Sequence, residues 1–342
     1  MSLAPRTHVQ VVYEGVDITK DVSKDLLSLS YTDNEGGKAD DISLTLKNNH
    51  GLWSDAWLPS KGDSITTTII TENDEGVSTL NCGSCEIDEI ELSGPPSVIE
   101  IKGVSVPLSS TMRRTKKSRA WENVRLSEMC ADVASTGSVD LVFQPNPANA
   151  EFETKDPLYE RRDQRDETDL LFLKRICEDE ALSLKLTDRQ LVVYDQNIMQ
   201  AQSPTVTLGL GEEWILSYKF NTQASEVFKT AIVQYNDPKS GALNKFIYED
   251  PSIENGQTLK IVRRTESVEE AERVAKAALK KRNRQETTAT FTVVGRVDLV
   301  SGITVNLAGF GKFSGKYYVE KSEHTVQNGY TVSLEMTFVE AV

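Results

Sequence analysis

Apolar side chains recur at every second position in short runs at both ends of the chain, and this period limits the fold more than any other feature. Val9, Val11 and Tyr13 share one side of such a run, as do Leu27, Leu29 and Tyr31, and Ile42, Leu44 and Leu46. A period of two gives an extended strand with one buried face. Asp33-Asn34-Glu35-Gly36-Gly37 is a turn cluster between two of these runs. Ile65–Ile70 is rich in Thr and Ile, as strands prefer. Ser84–Leu92 and Val98–Val104 flank a Gly94-Pro95-Pro96 turn, and Asp17–Val22 is polar and turn-like. The far end repeats the pattern in Ile215–Asn221, Ala231–Tyr235, Lys245–Tyr248, Thr288–Val294, Ile303–Leu307, Lys316–Lys321 and Tyr330–Val339. Many short strands between turn clusters predict a barrel or sandwich.

The middle changes period. Leu126, Met129, Cys130 and Val133 recur at helical spacing and stop near Gly137. Leu170, Phe172, Leu173, Ile176 and Cys177 do the same after Asp166, with Asp166 or Thr168 as cap. Gln144–Pro157 carries three prolines and reads as a loop. Leu182–Leu186 and Gln190–Tyr194 read as a hairpin turning at Thr187-Asp188-Arg189. One helix interrupts the last third: Ser267-Val268-Glu269-Glu270 is a capping box, and Ala271, Val274, Ala278 and Leu279 form the buried stripe. The expected class is α+β, mostly β. A β-barrel-like domain over 1–107 and another over 205–342, with an inserted helix near 268–284, flank an α+β region over 108–204 with helices near 125–136 and 166–180.

The 342 residues include 38 Lys and Arg against 52 Asp and Glu, a net charge of −14. Such a surface repels phosphate, so DNA or RNA binding through a basic face is not expected. Residues 1–10 lack the apolar core of a signal peptide. No run approaches the roughly 18 apolar residues of a membrane span. The reading is a chain made and folded in the cytoplasm.

The chemistry-bearing residues are sparse. Cys82-Gly83-Ser84-Cys85 is a C-x-x-C, but Glu86–Leu92 after it alternates like a strand, and a redox motif needs a helix there. A zinc site needs a second pair, whereas Cys130 and Cys177 stand singly on helix faces. Structural cysteines are the favoured reading. His8, His50 and His324 stand alone, without the partners of a triad or zincin. Asp40-Asp41, Glu178-Asp179-Glu180 and Glu269-Glu270 lie in a turn, a helix end and a helix start. The last suits the helix dipole, and the middle one reads as a solvated helix end. Gly309-Phe310-Gly311-Lys312-Phe313 lacks Walker spacing and reads as a turn. Neither catalysis nor a metal or other cofactor is expected.

Three segments, in order and across nearly the whole chain, together resemble the phage late control gene D family, tail hub proteins related to the hub part of VgrG. The first is Asp41-Ile42-Ser43-Leu44-Thr45-Leu46-Lys47-Asn48-Asn49 with Trp53, Trp57, Pro59 and the Lys61-Gly62-Asp63 turn. The second is Arg162–Asp195, centred on Asp166-Glu167-Thr168-Asp169-Leu170-Leu171-Phe172-Leu173. The third is Gly315-Lys316-Tyr317-Tyr318-Val319 with His324 and Gly329-Tyr330-Thr331. Glu180-Ala181 departs from the family, where glycine is common after the helix.

The resemblance implies a structural homotrimer in the baseplate of a contractile virion tail. Two similar barrels per chain would make a pseudo-sixfold ring between tail tube and central spike, with the spike a separate polypeptide. The implied neighbours are the tail tube protein, the spike, the tape measure protein and baseplate wedge proteins. DNA would pass as cargo without binding. The equivalent hub of a tailocin or type VI-like device, a tail-tip receptor- or glycan-binding β protein, and a cell-wall hydrolase are the competing readings. Candidate partner-interface residues are Trp53, Trp57, Arg113, Arg114, Lys116, Lys117, Arg161 and Arg162. Arg161 and Arg162 sit where charge switches from basic to acidic, a pattern that suits a solvated loop or an intersubunit salt-bridge strip.

Overall fold

A computed structural model describes residues 6–74, 76–105, 111–145, 156–187, 190–236, 243–265 and 267–339. The Asp188-Arg189 turn and most of the Gln144–Pro157 loop lie outside the described residues. The chain is mostly β. Its first part contains β1 (Arg6–Tyr13), β2 (Val16–Asp17), α1 (Thr19–Asp25), β3 (Leu26–Asn34), β4 (Asp41–Lys47), β5 (Ser64–Asn73), β6 (Gly76–Ser93) and β7 (Val98–Val104). Of the expected polar turn over Asp17–Val22, Asp17 ends β2 and Thr19–Val22 begin α1, which buries Val22.

The middle part contains α2 (Thr111–Arg114), β8 (Lys116–Arg125), α3 (Leu126–Thr136), β9 (Asp140–Gln144), β10 (Leu158–Thr168), α4 (Asp169–Asp179), β11 (Ser183–Thr187), β12 (Gln190–Tyr194) and α5 (Gln196–Ala201). Thr168, not Asp166, caps α4: its hydroxyl accepts from the Leu171 amide at 3.4 Å. Asp166 lies at an irregularity of β10 with φ 47°. Leu126, Met129, Cys130 and Val133 on α3 pack with Phe172, Leu173, Ile176 and Cys177 on α4 in one core. Fully burying each Leu, Met, Val, Ile or Phe side chain among these contributes about 1.5–3 kcal/mol.

The last part contains β13 (Val206–Gly209), β14 (Ile215–Thr222), β15 (Phe228–Asn236), β16 (Leu243–Glu249), β17 (Gln257–Thr265), α6 (Val268–Asn283), β18 (Thr287–Val294), β19 (Thr304–Ala308), β20 (Gly315–Val326) and β21 (Tyr330–Phe338). The strands of the two chain ends join. β20 pairs antiparallel with β3, from Lys321 opposite Asn34 to Val326 opposite Leu29. The result is one 13-stranded sheet whose main path runs from β14 to β2. This path is open: among the described residues, backbone pairing closes neither set of strands into a barrel. One apolar core serves both ends, uniting Leu29, Ile42 and Leu44 with Phe291, Tyr317 and Leu334.

The described residues within 228–283 form a separate lobe between β14 and β18. β15 is its central strand, antiparallel to β16 and parallel to β17. Ala231 and Val233 of β15 pack with Ala271, Val274, Ala275 and Leu279 of α6. Ser267 caps α6 as expected, accepting from the Glu270 amide at 3.1 Å.

Candidate assembly surface

The two expected tryptophans sit after β4 and differ in exposure. Trp53 is buried, and its indole N–H donates to Asp25 Oδ2 at 2.9 Å. Trp57 packs edge-on against it at 5.2 Å and stays 44% exposed. They border a cavity of about 400 Å³, with Tyr13, Val22, Leu44 and Leu58 on its wall. The Tyr13 hydroxyl donates to Asp63, and Ser60 N donates to Asp63 Oδ2 at 2.7 Å. These bonds pin the Lys61-Gly62-Asp63 turn. Burial, then the Asp63 contact, pushes Tyr13 up to about 12.

The expected basic residues lie elsewhere, on α2 and the β8–β10 ribbon, so Arg161 and Arg162 stand in a strand rather than a loop. Most face acids of their own chain. Arg114 reaches Asp88 at 3.4 Å, Lys116 reaches Asp166 at 3.1 Å, and Lys117 reaches buried Asp169 at 2.5 Å. Arg161 bridges Glu122 at 3.2 Å and Asp163 at 2.9 Å. Arg162 reaches Glu270 on α6 at 2.5 Å while covering the Tyr159 ring at 4.0 Å. Arg113 borders a cavity of about 440 Å³ with Leu170 and Lys174. The local charge is therefore largely balanced within the chain, which weakens the basic cluster as a field for an acidic partner.

Glu178-Asp179-Glu180 is not a solvated helix end. Lys281 reaches Glu178 at 2.7 Å, Arg263 pairs with Asp179, and Arg273 reaches Glu180 at 2.9 Å. Acids at a helix C-terminus face the negative end of the dipole, so they need cations nearby. That mismatch is the sequence signal for these pairs. Burial pushes Asp179 up to about 6, although Arg263 pulls the other way.

A second polar node joins all three chain parts. Lys185 pairs with Asp33, which also accepts from Ser301 N at 2.8 Å. Burial raises Asp33, but Lys185 and the Ser301 bonds outweigh it and hold the carboxyl below its usual range. Asp40 lies 4.0 Å from Lys185. Burial pushes it up to about 6, with Lys185 opposing and Asp33 adding. The expected Asp40-Asp41 turn thus places Asp40 in a buried structural role.

An aromatic cluster escaped the sequence reading. Tyr218 and Phe220 on β14 meet Phe310 at 5.0 and 5.3 Å, and Phe220 stacks on Phe313 at 4.9 Å. Tyr218 is 50% exposed, beside exposed Leu210 and Leu216. Phe310 and Phe313 belong to the glycine-flanked turn after β19, where the turn signal hid its aromatic content.

The nucleophile candidates are packed away. Thr66 faces Ser84 and Thr68 faces Asn81, so Cys82 and Gly83 together oppose Thr67. This bulge, with Gly83 at φ 73°, turns both Cys82 and Cys85 into the core, where a regular strand would split them. Burial pushes the Cys82 thiol up to about 12, which leaves little thiolate. His324 is buried against the Tyr330 hydroxyl at 2.7 Å, and burial lowers it to about 4. Among the described residues no group of three or more His, Cys, Asp or Glu could hold a metal ion.

The geometry describes paired surfaces and packed cores. A family model described as the phage tail baseplate hub (GPD) matches residues 104–330. The chain belongs to that family. A probable baseplate hub protein of Escherichia phage 186 is 28% identical over 177 residues, which is 52% of this chain and 41% of that relative. The match thus spans well under half the relative's length. A tail protein of Neisseria meningitidis MC58 shares the fold at 15% identity, with a TM-score of 0.71 over 97% of this chain and 96% of that one. A component of the E. coli type VI secretion system superposes at 12% identity, with a TM-score of 0.59 over 98% of this chain and 77% of that one. The expected late control gene D resemblance is this same family. Among the described residues, no helix is long and apolar enough to cross a membrane.

Proposed function

We propose that the chain is a structural subunit of a tail hub, a homotrimeric ring that joins the tail tube to the central spike of a contractile virion tail. The family match over residues 104–330 carries this reading. On it, residues 1–107 and 205–342 act as two barrel-like units flanking 108–204, and three chains present six such units to the sixfold tube. The β3–β20 pairing supports this by setting the two strand systems side by side. Trp57, the exposed part of the β8–β10 ribbon and the Tyr218 cluster are the surfaces available to neighbouring copies, the tube, the spike, the tape measure or baseplate wedges. The acidic balance suits a ring through which DNA passes without sticking. The role requires no catalysis and no cofactor.

Light scattering over a concentration range, with and without the spike protein, tests this. A trimer in either sample supports the hub. A monomer that ignores the spike, or that binds glycans through Trp57, sinks it. Clearing of peptidoglycan in a turbidity assay would add an enzymatic role and remove the hub-only reading. The fold shared with the E. coli type VI component favours one second reading, an equivalent hub in a tailocin or type VI-like device. Gene neighbours separate the two, since capsid and terminase genes mark a phage.

A further inference from the structure

We propose that the lobe of residues 228–283 is a hinged arm, docked on the middle part by ion pairs and free to undock as a unit without unfolding the rest. Four observations carry this, and none depends on the hub reading. First, both tethers leave from one place. β14 and β18 are adjacent strands with Thr222 opposite Thr287, and Gln223 N donates to Glu286 O at 2.9 Å where the chain leaves and returns. A unit hung on two neighbouring tethers pivots there. Second, the lobe has its own sheet, its own helix and its own apolar cluster, which shares no residue with the other two clusters.

Third, its contact with the middle part is built on charge. Arg263 pairs with Asp179, Arg273 with Glu180, Lys281 with Glu178, and Glu270 with Arg162. Each pair places one partner in the lobe and one outside it. Fourth, unfilled space flanks the lobe. A cavity of about 400 Å³ separates Tyr248 and Lys276 from Asn197 and Phe338. Another of about 320 Å³ separates Ala277 and Lys280 from Gly36 and Leu184. Both are partly open to solvent, so these flanks of the lobe are clefts and not close-packed seams.

The sign of the salt response distinguishes this junction from an apolar one. The screening length falls from about 10 Å at 0.1 M salt to about 3 Å at 1 M, which weakens charge pairs. Kosmotropic salts strengthen apolar burial instead. The test places spin labels on the full chain through Lys260→Cys in the lobe and Asp140→Cys on β9. All four native cysteines are buried. Distance distributions are recorded from low salt to about 1 M sodium chloride. The expected result is a single short distance at low salt and a second, longer population at high salt. The open-to-docked ratio should rise by about threefold, carried mainly by the more exposed Lys281–Glu178 pair, because the buried pairs are screened less. Trp53 and Trp121 fluorescence should stay unchanged.

Arg263→Gln with Arg273→Gln should show the long population already at low salt. The exchange Arg273→Glu with Glu180→Arg should restore docking relative to Arg273→Glu alone. A distance that ignores salt, or shortens with it, overturns the proposal. So does a lobe that moves only when the tryptophan signal reports unfolding. If the variants do not fold, the salt series in the labelled, otherwise native chain decides alone.

Discussion

The large sheet and the inserted lobe solve the same attachment problem in opposite ways. The two chain ends merge through β3–β20 hydrogen bonds and a shared core, so Leu29 and Leu44 lie in one cluster with Phe291 and Leu334. The lobe keeps its core to itself and meets the middle part through charged side chains. Apolar burial is non-directional and hard to undo locally. Ion pairs are directional, screened by salt, and costly to leave half-made. The difference shows which join is permanent and which is adjustable.

The sharpest way to break the contrast is to carve matched cavities. Phe291→Ala should cost about 3–5 kcal/mol and lower denaturant stability across strands from both chain ends. Leu279→Ala should cost about 2–5 kcal/mol, and hydrogen exchange should confine the loss to residues 228–283. Exchange spreading from Leu279→Ala into β3 or β20 would mean one cooperative unit and end the comparison.

Lys185→Met probes the polar join between the middle part and the large sheet. It leaves Asp33 and Asp40 buried without their cation, at a cost of about 3–5 kcal/mol in chemical denaturation. Asp33→Asn with Lys185→Met should recover part of that loss.

Acid should act on the two regions with opposite sign. His324 is lowered to about 4 in the fold, from an ordinary 6.5. The unfolded chain therefore binds the proton first as pH falls. Stability from this site is complete above about 6.5 and is lost on descent to about 4, on the order of 3 kcal/mol. His324→Gln should flatten that part of the stability–pH curve. Asp179 is raised to about 6 by burial, facing Arg263, Arg175 and Glu180. The folded chain holds this proton more tightly than the unfolded one, so Asp179 contributes stability that is present in acid and lost as pH rises through about 6, and Asp179→Asn should flatten that part of the stability–pH curve.

The smallest effect belongs to pairs outside either join. Lys24→Ala removes the exposed contact with Asp21 and should change stability by no more than about 0.5 kcal/mol. A larger loss would mean that α1 depends on its surface charge.

Much of this was legible where local chemistry and burial agree. The stripe from Leu126 to Val133, the Ser267 cap and the alternation of Ile42, Leu44 and Leu46 all act over a few residues, and each element formed as read. The misses involve partners distant in the chain. Glu178–Glu180 looked solvated because Arg263, Arg273 and Lys281 are more than eighty residues away. The facing of Cys82 and Cys85 depended on a bulge set by β5. Arg161 and Arg162 looked like loop residues because β10 shows little alternation; Lys116–Arg125 supplies its partner strand. Of the candidate surface, Trp57 was found at the surface, while the Tyr218 cluster was hidden in a glycine-flanked turn and an edge strand.

The β3–β20 seam also governs when the molecule can come into being. Leu29 waits for Val326, and Asn34 for Lys321, so nearly 300 residues must be synthesised before these neighbours meet. At about 5–20 residues per second, the early strands spend many seconds with an unfilled hydrogen-bonding edge. Pairings that remote make folding slow and leave unpaired strands open to aggregation. Synthesis of β20 and β21 is thus a timer: the sheet cannot be finished until these strands have left the ribosome.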